Sequence, residues 1–291
     1  FLTRIGETVT IGNVTGTHYG PPGALIERVA LGFRVEGYFD HSDFWGGRKP
    51  YEAEVQLLPS IAFRGDRSIS VILRNGYFEF PTELYGSYEV SAPSGGRLPF
   101  VVPEPLKNLL AVAVLPRLRL NNWANLNGRA YFRELPIYTE ASRGREFLVA
   151  PQLQLKPTTA LSLSYDQTFS RLWRSSDDSV FSTAIVSRLT SQYQFSRAFM
   201  ARFLVQYNLE DRDVLRDPTT GLPIWIGGVE VEAEEEGTVE GQFLLQFEPS
   251  PGTIFYVGYT RMMEGDYSYG FRHKDPTQDG LFLKLSYLLR I

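Results

Sequence analysis

Along the final segment, Gly280 to Ile291, apolar and polar positions alternate with hardly a break. Leu281, Leu283, Leu285, Tyr287, Leu289 and Ile291 fall on one side, and Lys284, Ser286 and Arg290 on the other. A β-strand turns its side chains over at every residue, so such a segment presents one apolar and one polar face. The same pattern recurs along the chain. It predicts twelve strands, spanning about 26–39, 51–64, 68–80, 109–120, 123–133, 145–156, 160–173, 180–194, 199–210, 237–248, 253–263 and 280–291. At about 11 to 15 residues each, they exceed the five or six usual in a soluble sheet. Roughly nine to eleven tilted residues cross a bilayer.

Turn chemistry divides the connections into two kinds. The stretches Arg64–Arg67, Asn121–Asn122, Lys156–Thr159, Phe195–Ala198 and Pro249–Gly252 read as tight turns. The stretches 40–50, 81–108, 134–144, 174–179, 211–236 and 264–279 read as longer loops. Short and long alternate strictly, as in a transmembrane barrel with short periplasmic turns and long extracellular loops. The predicted fold is therefore all-β, an up-and-down antiparallel barrel of at least twelve strands over residues 24–291. Residues 1–23 precede it as an irregular segment or an extra strand. Integral placement in a bacterial outer membrane follows, with lipid as the first partner. Aromatics near strand ends (Tyr38, Phe39, Tyr77, Phe78, Trp123, Trp173, Tyr193 and Phe195) are expected at the membrane interfaces.

On this reading the apolar parity meets lipid and the polar parity lines a lumen. The first strands place Arg28, Arg34, Glu52, Glu54 and Arg74 there, followed by Arg117, Arg119, Arg129 and Arg133. Later strands add Arg202, Gln206, Glu240, Gln242, Lys284 and Arg290. An arginine-rich wall would attract and pass small anionic solutes, sugar acids for example. Equally, these groups would pair with acids such as Glu36, Glu54, Asp166 and Glu248 and fill a narrow interior.

Composition narrows the chemistry. There is no cysteine, which excludes disulfides, thiolate metal sites and a thiol nucleophile. A net charge of −4 without a basic patch argues against a nucleic-acid partner. The longest apolar run, Leu109 to Leu115, falls far short of the roughly 18 residues a membrane-spanning helix needs. Barrel strands, with every second residue polar, escape that test. The chain opens at Phe1 without an initiator Met or a signal peptide, and reads as a processed form or as part of something longer.

Catalysis is not expected. A Ser–His–Asp arrangement needs an imidazole against the serine. The histidines are His18, in the amino-terminal stretch, and His41 and His273, in loops. No cofactor is expected either. Glu230, Glu232 and Glu234 alternate within loop 211–236, and are candidate oxygen ligands for a hard cation. The spacing of a calcium-chelating loop is missing, however, and a solvated, self-repelling loop is the simpler reading. The stretch 91–107 is too rich in proline for a strand. It is expected to constrict the lumen or to meet an envelope-protein partner.

Several blocks carry a family resemblance: Tyr193–Ser196, Arg202–Asn208, Phe247–Pro249 with Pro251–Thr253, Tyr256–Tyr259 and Phe282–Leu288. In order and spacing they resemble the last four strands of a bacterial outer-membrane family of unknown function. In that family a domain like a family-nine carbohydrate-binding module precedes the barrel. Upstream, Leu57–Pro59 and Pro81–Tyr88 extend the likeness. The resemblance implies a barrel and an outer-membrane address, but no established reaction or ligand. The amino-terminal domain and the family's Asn-Pro-Asp-Phe and Arg-Pro-Phe-Phe blocks are not seen, which fits the carboxy-terminal part of a larger barrel. The leading expectation is porin-like passage of small hydrophilic solutes. The alternative is a non-transporting structural or assembly barrel, plugged inside, whose loops bind a partner.

Overall fold

A computed structural model describes residues 6–92, 95–265 and 274–287. Its strands, in chain order, begin with β1 (Glu7–Tyr19), β2 (Ile26–Asp40), β3 (Glu52–Phe63), β4 (Arg67–Phe78), β5 (Tyr88–Ser91) and β6 (Arg97–Pro99). Next come β7 (Leu106–Arg119), β8 (Ala124–Ile137), β9 (Ser142–Leu155), β10 (Leu161–Arg174), β11 (Val180–Gln194) and β12 (Phe199–Arg212). The series ends with β13 (Ile224–Ile226), β14 (Val229–Glu230), β15 (Glu234–Ser250), β16 (Thr253–Gly265) and β17 (Lys274–Tyr287). One short helix, α1 (His41–Trp45), follows β2.

Thirteen of these strands form one antiparallel sheet, β1-β2-β3-β4-β7-β8-β9-β10-β11-β12-β15-β16-β17. Hairpin neighbours in sequence are neighbours in space throughout, as local turn closure favours. The β3–β4 turn shows how sequence fixes a hairpin. Gly65 (φ 88°) and Asp66 (φ 60°) both take the left-handed backbone, which glycine and, among other residues, aspartate tolerate best.

Following residue partners sideways from Tyr19 leads to Arg28, Ala62, Ser68, Arg117, Asn127 and Gln152. The row continues through Asp166, Arg188, Gln206, Glu240, Met262 and Gln278. Directly opposed residues share a face, so one row, polar except at Ala62 and Met262, crosses the whole sheet. It starts at the short-turn end of β2 and climbs almost to the long-loop end of β17. Such a stagger is what strands tilted within a coiled sheet produce.

The strand count exceeds the expected minimum of twelve by one. Residues 7–19, left open as irregular or as an extra strand, form β1 and pair with β2 along their full length. The expected minimum of twelve thus becomes thirteen among the described residues, an odd number. Edge strands β1 and β17 therefore run in the same direction, and no pairing joins them among the described residues. Direct closure would be parallel. Antiparallel closure takes an odd number of further strands between them.

Other boundaries shift as well. The expected loop 134–144 shrinks to a four-residue turn, Tyr138–Ala141, because β8 and β9 pair as far as Ile137 and Ser142. The last strand starts at Lys274 rather than near 280, and its expected final residues 288–291 lie outside the described ones. Within the proline-rich stretch 91–107, Arg97–Pro99 is nonetheless a strand. It is an edge strand of a second, four-stranded sheet, β14-β13-β5-β6, where proline's missing N–H costs no ladder bond.

The buried hydrophobic core lies at the long-loop end. Phe78, Phe80, Tyr85, Val90, Phe100, Leu109, Ile137, Ala141, Phe181, Leu215 and Ile224 cluster there. Along the body of the large sheet the apolar face stays bare. One uninterrupted row of partners reads Phe33, Leu57, Leu73, Val112, Phe132 and Phe147, all exposed.

Candidate functional site

Two features stand on the polar face of the large sheet: a charged surface and a folded cap built from loops. Cross-strand register explains the first. Arg133 lies opposite Glu146, and their side chains form an ion pair. Arg74 reaches Glu54 at 3.3 Å on the neighbouring strand, and Arg34 pairs with Glu36 two residues along β2. These arginines are half-buried. Gln206 donates to Asn208 at 2.9 Å and Gln242 to Glu240 at 2.7 Å.

The expected arginine wall therefore divides in two. Arg34, Arg74 and Arg133, towards the long loops, have carboxylate partners. Arg28, Arg117, Arg119 and Arg202, towards the short turns, are exposed and make no ion pair among the described residues. Arg129 lies over the Tyr131 ring at 5.8 Å. Lys284 is exposed on β17, Glu52 faces Phe78 across β3 and β4, and Arg290 lies outside the described residues.

The cap joins two insertions far apart in sequence, 79–105 and 213–233. Strand β13 pairs with β5 (Ile224 opposite Val90), and β5 pairs with β6. Trp225 Nε1 donates to Ser91 Oγ at 2.9 Å while the Arg97 guanidinium lies over the Trp225 ring at 4.1 Å. The cap's apolar core packs on the polar-face parity. Phe78 shares a side with Arg74, Leu109 stands opposite Gly76, and Ile137 shares a side with Arg133. At its loop end the polar face thus turns apolar and is covered.

One buried ion network ties the cap to the sheet. Arg174, the last residue of β10, donates through Nε and Nη2 to Glu140 at 2.7–3.1 Å. Its Nη1 reaches Asp213 at 2.9 Å and Ser179 at 3.1 Å, and Nη2 reaches the Val214 carbonyl at 2.7 Å. All five guanidinium donors can thus be met. Glu140 also accepts from the Arg216 backbone N–H at 2.8 Å. The two side chains are only 3% and 1% exposed.

Tyr85 links the cap's 3-10 turn to the β8–β9 turn by donating to the Tyr138 carbonyl at 2.7 Å. Burial, helped by Tyr88 and Tyr138, pushes its hydroxyl up to about 12. A folded-state pKa raised above the unfolded one near 10 adds stability below pH 10 that is lost as pH rises through about 12. Between those values the cap should loosen, with Trp225 fluorescence shifting red. An unchanged spectrum across that window would contradict the assignment.

Several sequence expectations are corrected here. Glu230, Glu232 and Glu234 do not gather: Glu230 pairs with Trp225 in the small sheet, while Glu234 pairs with Arg212 at 2.7 Å. Among the described residues no group of three acids or histidines is placed to hold a metal ion. Phe78 packs in the cap core rather than at an interface, and Tyr38 turns to the polar face, donating to Glu36 at 3.2 Å. Leu209 and Val239, although on the apolar parity, are buried near the loop end. His41 meets Thr8 Oγ1 at 2.9 Å, and His18 stands opposite Val29 in β1. His273 lies outside the described residues. Sequence reasoning missed Arg174 and Glu140 altogether, because both sit where strand periodicity ends. The cap had a faint signal: Tyr85, Tyr88, Phe100 and Ile224–Ile226 are apolar residues inside the expected loops, and Phe80 closes the expected strand before the first of them.

These features define an all-β protein with one large antiparallel sheet, sharply two-faced, and a loop cap at one end. No protein-family model matches the chain, and no curated protein matches it in sequence. Among solved structures, the NanC porin is similar at 12% identity and a TM-score of 0.33, over 82% of this chain and 94% of its own.

Proposed function

We propose that the large sheet is the wall of an outer-membrane β-barrel whose polar face lines a water-filled interior. Through it small hydrophilic solutes, anionic ones above all, would pass or bind. The bare apolar row from Phe33 to Phe147 carries this reading. A sheet with that face in water would expose far more contiguous apolar surface than a soluble monomer tolerates. With lipid on that side, the charged parity falls where water is. Strand length and stagger support the same arrangement.

A planar bilayer tests it. Purified protein should give steady conductance steps with anion preference under a salt gradient. In detergent gels the unheated protein should migrate anomalously, since a closed sheet resists unfolding. A heated and an unheated sample that migrate alike would count against a closed barrel.

The cap favours a second reading. Its core packs on the parity that would line the interior, so it would narrow or plug the loop-end mouth. A folded barrel that inserts but stays silent would fit a non-transporting component whose loops bind a partner.

A further inference from the structure

We propose that Arg28, Arg117 and Arg119, near the short turns of the polar face, form a binding site for a small polyhydroxylated acid. The inference rests on the reading of that face as a water-filled interior, and adds a place and a ligand class to it.

The first argument is the division of charge. Arginines near the loop end are held by carboxylates and half-buried, which is how a structural guanidinium is satisfied. Arg28 and Arg117 make no ion pair or side-chain hydrogen bond among the described residues, and Arg119 makes only a long one, 3.5 Å to Asn122. Exposed like charges in one neighbourhood repel each other. An anion between them removes that repulsion.

Shape gives the second argument. Two adjoining hollows share Arg117 and Asn127. One is lined by Arg28, Ser68, Ser70 and Gln152 as well, the other by Asp66, Arg119, Asn125 and Gln154. Ser68, Arg117, Asn127 and Gln152 are successive partners across four strands, each about 5 Å from the next. Sheet hydrogen bonds hold them in place, so little ordering remains to be done on binding.

The chemistry sets the ligand. Guanidinium forks match the two oxygens of a carboxylate. The carboxamides of Asn125, Asn127, Gln152 and Gln154 donate and accept together, as do the hydroxyls of Ser68 and Ser70, and that suits the hydroxyl groups of a sugar. Two acids flank the site: Asp66 at the turn, and Asp166, which accepts from the Gln152 amide at 2.5 Å; both would reject a second negative charge on their sides. A monoanionic sugar acid fits this set better than a simple inorganic ion.

Galacturonate, glucose and sulfate are the probes, added to the full chain in detergent for calorimetry and in a bilayer for current block. Galacturonate should bind saturably, glucose should not, and sulfate should bind much more weakly. Arg117→Gln should weaken galacturonate about tenfold, the loss of one charge-assisted hydrogen bond, while its gel mobility stays that of the native barrel. Rising salt should weaken binding. Equal binding of sulfate and galacturonate would overturn the ligand class. Open channels with no saturable galacturonate binding, or binding indifferent to Arg117→Gln, would overturn the site and leave the barrel standing. Failure to insert at all would overturn both.

Discussion

Replacing Glu140 with alanine should destabilise the protein by about 3–5 kcal/mol and release the loop cap, the largest effect expected of any single change here. The reason is the charge left behind. Arg174 is 3% exposed and directs three of its contacts at Glu140. Without that carboxylate, Asp213 is the one ion-pair partner left to it among the described residues. The Arg216 backbone N–H loses its acceptor as well. Protease cleavage within 79–105 and 213–233 should accelerate in the variant while the large sheet stays intact. If the cap narrows the mouth, conductance should rise at the same time. The double change Glu140→Leu with Arg174→Met should recover part of the loss, because it removes the stranded charge rather than exposing it. A cap as protected in Glu140→Ala as in the native chain would show that the network is decoration.

The second large effect separates lipid from water on the apolar face. Leu73 and Ile72 are neighbours near the middle of β4 and point to opposite faces. Leu73→Arg should cost roughly 2–4 kcal/mol for folding into lipid vesicles, since a guanidinium near the bilayer midplane is poorly solvated. Ile72→Arg places the same group on the polar face and should fold nearly as well as the native chain. In a soluble sheet the order would reverse or vanish, because Leu73 is already exposed and would carry a charge without penalty. Denaturant titration of both variants in vesicles decides the matter.

The two charge systems were not equally legible. Period-two alternation is local, so the face of Arg28, Arg74 or Arg133 can be read from its neighbours alone. Which of them is neutralised depends on register. Arg133 meets Glu146 because β8 and β9 pair around a four-residue turn, where the sequence pattern predicts a longer loop. Arg74 finds Glu54 across the β3–β4 hairpin, where the short turn made the pairing easier to foresee.

The sequence by itself determined the all-β class, most strand positions and which side chains share a face, because a strand's geometry repeats every two residues. Turn residues such as Gly65 and Asp66 fixed the hairpins for a similar local reason. Only the tertiary structure decided the rest. Trp225 meets Ser91 across 134 residues, and no local pattern encodes a contact between two loops. The joining of those insertions into a cap, the burial of Arg174 with Glu140, and the odd strand count with two co-directional edges all depend on distant segments packing together. In each case the deciding free energy belongs to a surface that exists only once the chain is folded.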